Sequence, residues 1–359
     1  MVAFVWPASA QKKKKNPEDG LYPPVVASKK KKDEDVTQTL PPAKELPSAV
    51  IADTNGLAFQ VSPLSSTGLL SQQTRTALKI LLQSKHSNIV KLRAFVAGSG
   101  DLRRVGEIVG ESFTEKHIAL PALSVVLVGA LPMDGAQVVL ETITAEKRPV
   151  NPNGLAFVSG QSAATVAESL TKIGGALRHA GMEPSDAARV TCFVSLLEEN
   201  RGARSAMEAA FPNAAVNYVQ MQRGPIAPAA ECEAVARLRA PAPNGVQFLD
   251  SSAAYSQVVL VSAPRLVLTG TQLAFGGQEN DVKLLFERLR RALGQFNAGF
   301  DAVVMSHVYV TSPAMANPVR AVRAGFYNAT RAPASTLLPF EGLTSHDSPA
   351  GVDVIAATQ

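Results

Sequence analysis

Two cysteines, five histidines and two runs of lysine are the side chains whose chemistry asks for an explanation first. Cys192 and Cys232 are too few for a disulfide framework or a cysteine-rich metal site. They read as two buried reduced thiols, with one structural bridge as the alternative. His86, His117, His179, His307 and His346 are scattered, and no pair has the spacing of a metal-ligand set. No metal and no cofactor is therefore expected. Neither a Walker-type nor a dinucleotide-type glycine loop is present, and Gly276-Gly277-Gln278-Glu279-Asn280 reads as a loop ahead of a helix. The lysines stand apart. Lys12, Lys13, Lys14 and Lys15 form one cluster, and Lys29, Lys30, Lys31 and Lys32 form a second. Their chemistry is attraction to an acidic surface: RNA, or a protein surface such as that of polymerised tubulin.

Those clusters sit in a tail. Residues 1–47 hold nine lysines and six acids, so their net +3 (9 − 6) is most of the +5 of the whole chain. Seven prolines break any helix, and the few apolar residues cannot offset the ordering entropy. The tail is expected to be disordered, or extended along its partner, with Trp6, Phe4 and Tyr22 as aromatic anchors. No apolar run approaches the roughly 20 residues that span a bilayer, so no membrane partner is expected. The opening residues place their apolar stretch before the basic run, the reverse of a secretory signal, and carry no arginine. The chain reads as cytoplasmic, with cytoskeletal association one option and a mitochondrial location left open.

The remainder repeats. Asn55-Gly56-Leu57-Ala58-Phe59 recurs as Asn153-Gly154-Leu155-Ala156-Phe157, 98 positions on. Phe95-Val96 and Phe193-Val194 keep that offset, as do Phe113 and Phe211. A third, more divergent copy answers with Tyr309-Val310 and Phe326. Each copy reads β–α–β–α–β–β, which gives an α+β sheet covered by two helices. Val166, Leu170, Ile173 and Leu177 stripe the first helix of copy two, and 198–211 reads as its second helix. Val282, Phe286, Leu289, Leu293 and Phe296 stripe the long helix of copy three; Thr74, Leu78 and Leu81 serve copy one. An extra hairpin, 246–261, is expected to lead copy three. The expected organisation is a tail at 1–47 and copies at 48–146, 150–240 and 244–359.

At these residues the sequence resembles the Rid/YjgF-like family of reactive-imine deaminases, also called L-PSP endoribonucleases. Ala254-Tyr255-Ser256-Gln257 is similar to the family's GPYSQ segment, and LAFVSGQ (155–161) to its second strand. Glu231-Cys232-Glu233-Ala234-Val235-Ala236 resembles its closing strand. The resemblance implies a chorismate-mutase-like fold, trimer formation, and sites in the clefts between subunits. Here one chain would supply all three subunits as a single-chain pseudo-trimer, with no homotrimer needed.

The family's chemistry, hydrolysis of enamines and imines, needs a guanidinium to clamp a substrate carboxylate and a carboxylate for proton transfer. The guanidinium position falls on Leu123, on Ala214 or a near neighbour, and on Ser335, none of them arginine. Losing such a contact costs on the order of 2–3 kcal/mol or more. Glu231 matches the family's catalytic acid, while copy one has Val139 there and copy three Gly351 or Asp353. Glu141, Glu233 and Asp353 match the next acid and read as structural. Arg223 and Arg331 lie near in sequence as replacement cations. The expectation is a catalytically degenerate protein, more a structural or interaction component of a ribonucleoprotein or cytoskeletal assembly than an enzyme. The alternatives are a divergent deaminase or a metabolite-binding sensor using a cleft near Glu231.

Overall fold

A computed structural model describes residues 45–83, 87–224 and 229–359. The expectations attached to Trp6 and to the two lysine clusters lie outside the described residues. The β-rich runs fold as strands and the striped segments as helices. First come β1 (Ala49–Asp53), β2 (Leu57–Val61), α1 (Leu70–Leu81), β3 (Ser87–Ala97), α2 (Leu102–Glu115), β4 (Ala122–Val128) and β5 (Val138–Glu146). Then follow β6 (Leu155–Ala163), α3 (Val166–His179), β7 (Ala187–Val194), α4 (Ala203–Ala210), β8 (Ala215–Gln220) and β9 (Ala230–Arg237). The last part holds β10 (Val246–Ser251), β11 (Ser256–Val261), β12 (Arg265–Thr269), β13 (Gln272–Ala274), α5 (Glu279–Gly294) and β14 (Val303–Val310). It closes with α6 (Ala316–Arg323), β15 (Ala334–Pro339), β16 (Gly342–Leu343) and β17 (Ala350–Thr358).

The strands make three mixed sheets with one shared connectivity. In each, a central strand pairs in parallel with the strand that follows a helix: β3 with β4, β7 with β8, β14 with β15. On its other side it pairs antiparallel with the last long strand, β5, β9 or β17. Those strands in turn take β2, β6 and β12. The helices bury their stripes against their own sheet. Val166, Leu170, Ile173 and Leu177 are all buried in the second core, and Val282, Phe286, Leu289 and Leu293 in the third. The helix expected over 198–211 starts later. A single 3₁₀ turn occupies Glu198–Asn200, and α4 begins only after Gly202, which carries no capping side chain.

The opposite sheet faces meet one another. One shared cluster joins Leu57 and Phe59 to Phe157, Val235, Leu266 and Ile355; another joins Phe95 and Phe193 to Tyr309 and Phe340. Phe95, Phe193 and Tyr309, matched in the repeat, thus converge, with Phe95 and Phe193 edge-to-face at 5.9 Å.

Strands are also exchanged between neighbours. The hairpin expected at the head of the third copy pairs instead with the second sheet, β11 lying along β6 from Val258↔Val158 to Val261↔Leu155. Likewise β1 pairs with β12 of the third sheet, and β16 with β4 of the first. An otherwise free edge takes up each segment, which satisfies a row of main-chain donors and acceptors. The cysteines are corrected as well. Cys192 and Cys232 face each other across β7 and β9 and form a disulfide, not two reduced thiols. Direct antiparallel pairing sets two β-carbons on one face within reach of an S–S bond.

Candidate functional site

Glu231 lies on β9, across from Ser162 of β6. Its carboxylate rests on Gly160, where an added Cβ would stand 2.0 Å from Glu231 Oε1, so a side chain at 160 would displace it. The Ser162 hydroxyl donates to the other oxygen. Burial pushes the Glu231 carboxyl up to about 7; the Ser162 hydrogen bond opposes this, and the charge of Glu233 adds to it. A carboxyl titrating there is suited to proton transfer near neutrality.

The seam between the second and third sheets runs beside this group. Ser335, at the start of β15, donates its main-chain N–H to Ser159 Oγ at 2.8 Å, and Ser159 Oγ donates to the Ser256 carbonyl at 2.6 Å. A guanidinium also reaches this place, from a residue that sequence reasoning missed. Arg323 of α6 donates to Ser335 Oγ at 3.3 Å and to the Ala254 carbonyl. It is 6% exposed, and burial holds its pKa below the usual arginine value. A signal existed: Ala316, Val319 and Arg323 are the buried stripe of α6, so an arginine occupies an apolar position.

At the seam between the first and third sheets, the Leu123 carbonyl accepts the Thr271 N–H at 3.1 Å. Gly270 lies so close that a Cβ there would stand 2.9 Å from the same oxygen. A cavity of about 490 Å³ opens beside Leu123, lined also by Arg103, Glu107, Thr271 and Gln272. Arg103 is exposed and pairs with Asp101, and Glu107 pairs with Arg104. Ala214 is half-buried against the core of the second sheet. The two alternative arginines have other contacts. Arg223 donates to the Gly129 carbonyl at 2.6 Å, and Arg331 stacks 5.3 Å from the Phe248 ring. Among the described residues neither is hydrogen-bonded to Glu231, Ala214 or Ser335. No group of three or more His, Cys, Asp or Glu among them is placed to hold a metal, and none of their helices is long and apolar enough to cross a membrane.

Where the three sheets meet, the three acids read as structural come together. Arg93 of β3 binds Glu141 Oε2 at 2.6 Å and Glu233 Oε1 at 2.8 Å, and Arg189 of β7 reaches the same Glu233 oxygen at 3.1 Å. His307 Nδ1 lies 2.9 Å from Asp353 Oδ1, the Tyr309 hydroxyl donates to Oδ2 at 2.9 Å, and Lys91 Nζ stands 3.4 Å away. Asn217 and Thr191 donate to Glu141, and Thr336 to Glu233. Every member of this network is buried, none more than 6% exposed. Burial alone would raise the three carboxyls, yet all are held below the usual range: Glu141 by Arg93 and Arg189, Glu233 by His307 and Arg93, Asp353 by Lys91 and His307. Burial pulls Lys91 down to about 8 against the attraction of Asp353. These groups hold one another and do not reach a surface where substrate could bind.

No family model matches the chain, and no curated protein matches it either. Solved structures do show similarity over part of it. One is a member of the YjgF protein family from Neisseria meningitidis, 14% identical, with TM-score 0.25, covering 32% of this chain and 95% of that one. A YjgF-type protein from Mycobacterium tuberculosis is 20% identical, with TM-score 0.25, covering 32% and 99%. A protein of unknown function of the Rid family from Yersinia pestis is 18% identical, with TM-score 0.30, covering 32% and 99%.

Proposed function

We propose that this chain is three tandem Rid-like domains folded as one pseudo-trimeric body, catalytically degenerate, which serves as a structural or interaction component of a larger assembly. The observation that carries the reading is how the seams are filled. The Leu123 carbonyl is taken by Thr271, and the Ser335 main chain by Ser159. The guanidinium that reaches a seam, Arg323, already donates to a main-chain carbonyl and a serine. A substrate carboxylate needs a free fork of N–H donors, and Leu123 and Ala214 offer none. The copies are taken as 48–146, 150–240 and 244–359, with edge strands exchanged between neighbours. The lysine-rich tail supplies attraction to an acidic partner, RNA or a tubulin-like protein, at ranges of about 8–10 Å set by salt.

A second reading is a divergent enamine or imine deaminase, or a metabolite sensor, at Glu231. What favours it is the Glu231 carboxyl raised to about 7, together with a buried guanidinium, Arg323, that reaches Ser335. The two readings separate in one assay. Purified full chain is incubated with 2-aminoacrylate-type imines and ammonia release is followed. No acceleration over buffer is expected; turnover abolished by Glu231→Gln would establish the second reading. The interaction half is tested by deleting residues 1–47 and scoring incorporation into the native assembly. Loss of incorporation with a folded body is expected, and unchanged incorporation would move the contact to the globular part.

A further inference from the structure

The three sheets differ at one edge. In the second, β11 lies antiparallel along β6, and in the third, β1 lies antiparallel along β12. The equivalent strand of the first sheet, β2, pairs with β5 and with no other strand among the described residues. The reason lies in the connections. By the offset that relates Asn55 to Asn153, the counterpart of β1 is 147–151, which ought to serve β2. Residues 147–154 are all that join β5 to β6, whereas 238–264 join β9 to β12. Because β5 already flanks β2, so short a segment cannot cross to the far side and run back as a strand. Pro149 has no N–H for a ladder, and the Val150 and Asn151 amides donate to the Asn55 carbonyl instead. Lys147 and Arg148 are exposed, and with Glu146 and Val150 they line a cavity of about 550 Å³.

The open edge carries unpaired main chain. Ser62 donates its N–H to the Leu140 carbonyl at 2.8 Å, so Ala58 and Gln60 also face β5. Phe59 and Val61 then turn their N–H and C=O groups outward. Phe157, at the place of Phe59, lies opposite Val259 of β11. Burial records the difference. Phe59 is 8% exposed and Ala58 partly exposed, where Phe157 is 1% and Ala156 0%. Leu57–Val61 has no proline and no charge, the features that usually protect an edge from a further strand.

The two filled edges define what fits. Opposite Leu155, Ala156 and Phe157 stand Val261, Leu260 and Val259; opposite Leu266, Val267 and Leu268 stand Ala52, Ile51 and Val50. All are apolar, and they alternate between the core under the helices and the cluster shared by the sheets.

We infer that β2 is the docking edge for an extended segment of another protein, which joins the first sheet as an antiparallel strand through a run of apolar, largely β-branched residues. A second copy of this chain cannot supply β1 or β11, because both are already paired. The inference rests on the reading of the chain as an interaction component, which deletion of residues 1–47 tests separately.

The test uses the full chain and a fluorescein-labelled peptide with the β11 sequence SQVVLV between lysine ends. A saturable rise in anisotropy is expected, with slower hydrogen exchange at the Phe59 and Val61 amides. Val61→Pro removes an outward N–H and leaves the pairing with β5 intact, so it should weaken binding about ten-fold, the loss of one hydrogen bond. A peptide carrying Val259→Pro lacks the N–H that meets Phe59 and should not bind the wild-type chain, an arm that needs no protein variant. No saturable binding to the full chain, the result if another segment of this chain already covers the edge, overturns the inference. Equal binding of the proline peptide does so too. A dimer in light scattering that Val61→Pro dissolves would make the occupant a second copy and overturn it as well.

Discussion

Arg93 of the first sheet and Glu233 of the second lie 140 residues apart in the chain and meet at 2.8 Å, both buried. The same guanidinium holds Glu141 of its own sheet. One guanidinium therefore bridges two buried carboxylates, with Arg189 as the second cation on Glu233. Arg93→Met should destabilise the protein by about 3–5 kcal/mol, because it leaves buried charge uncompensated. Urea unfolding followed by circular dichroism measures this. A loss below about 1 kcal/mol would show that the junction relaxes and rehydrates, and that the pair contributes little.

Acid stability should carry two opposing slopes. Glu141, Glu233 and Asp353 have carboxyls held below their ordinary range. They bind protons less readily folded than unfolded, so their contribution is present above about pH 4 and is lost as the pH falls through their folded values. Glu231 has the opposite sign. Its carboxyl is raised to about 7, so between about pH 4.5 and 7 the unfolded chain ionises it first and stability falls as pH rises. At about 1.4 kcal/mol per unit that fall is at most about 3.5 kcal/mol. Glu231→Gln should flatten the profile between pH 4.5 and 7 without touching the acid limb. Identical slopes in wild type and variant would rule this out.

The disulfide makes a separate prediction. Cys192 and Cys232 close a loop across 40 positions and tie β7 to β9 in the core of the second sheet. Denatured, non-reduced protein should show no thiol that iodoacetamide can label, and two after reduction. Replacing both cysteines by alanine should cost roughly 3–4 kcal/mol from loop entropy, plus some packing loss. Two labelled thiols without reductant would return the pair to the free state.

How much of this was legible depends on whether the signal is local. The striped helices were, because Val166, Leu170, Ile173 and Leu177 bury one face whatever they pack against. The meeting of Phe95, Phe193 and Tyr309 was implicit in their shared repeat position. Strand exchange was not legible, since Val258–Val261 has the same alternating pattern on β6 as it would on any other sheet edge. The junction was half legible. Glu141, Glu233 and Asp353 align, but Arg93, Thr191 and His307 occupy equivalent places with different chemistry, so no pattern marks them as partners. Arg323 could have been found from its place on the apolar stripe of α6.

Two glycines test the packing in opposite directions. Gly154 opens the repeated Gly-Leu-Ala-Phe segment of the second sheet with φ +105°, and a Cβ there would fall 2.0 Å from the Val261 carbonyl of the exchanged hairpin. Gly154→Ala must both leave that backbone region and push β11 away, so a loss of at least about 2 kcal/mol is expected. Gly175 sits inside α3 on its exposed face, with nothing within 4 Å of an added Cβ. Gly175→Ala should stabilise by about 0.5–1 kcal/mol, since alanine loses less backbone freedom on entering a helix. Urea midpoints of the two variants should therefore move apart from wild type, one down and one up. If Gly154→Ala unfolds at the wild-type midpoint, the exchanged hairpin does not lie against the second sheet at this point.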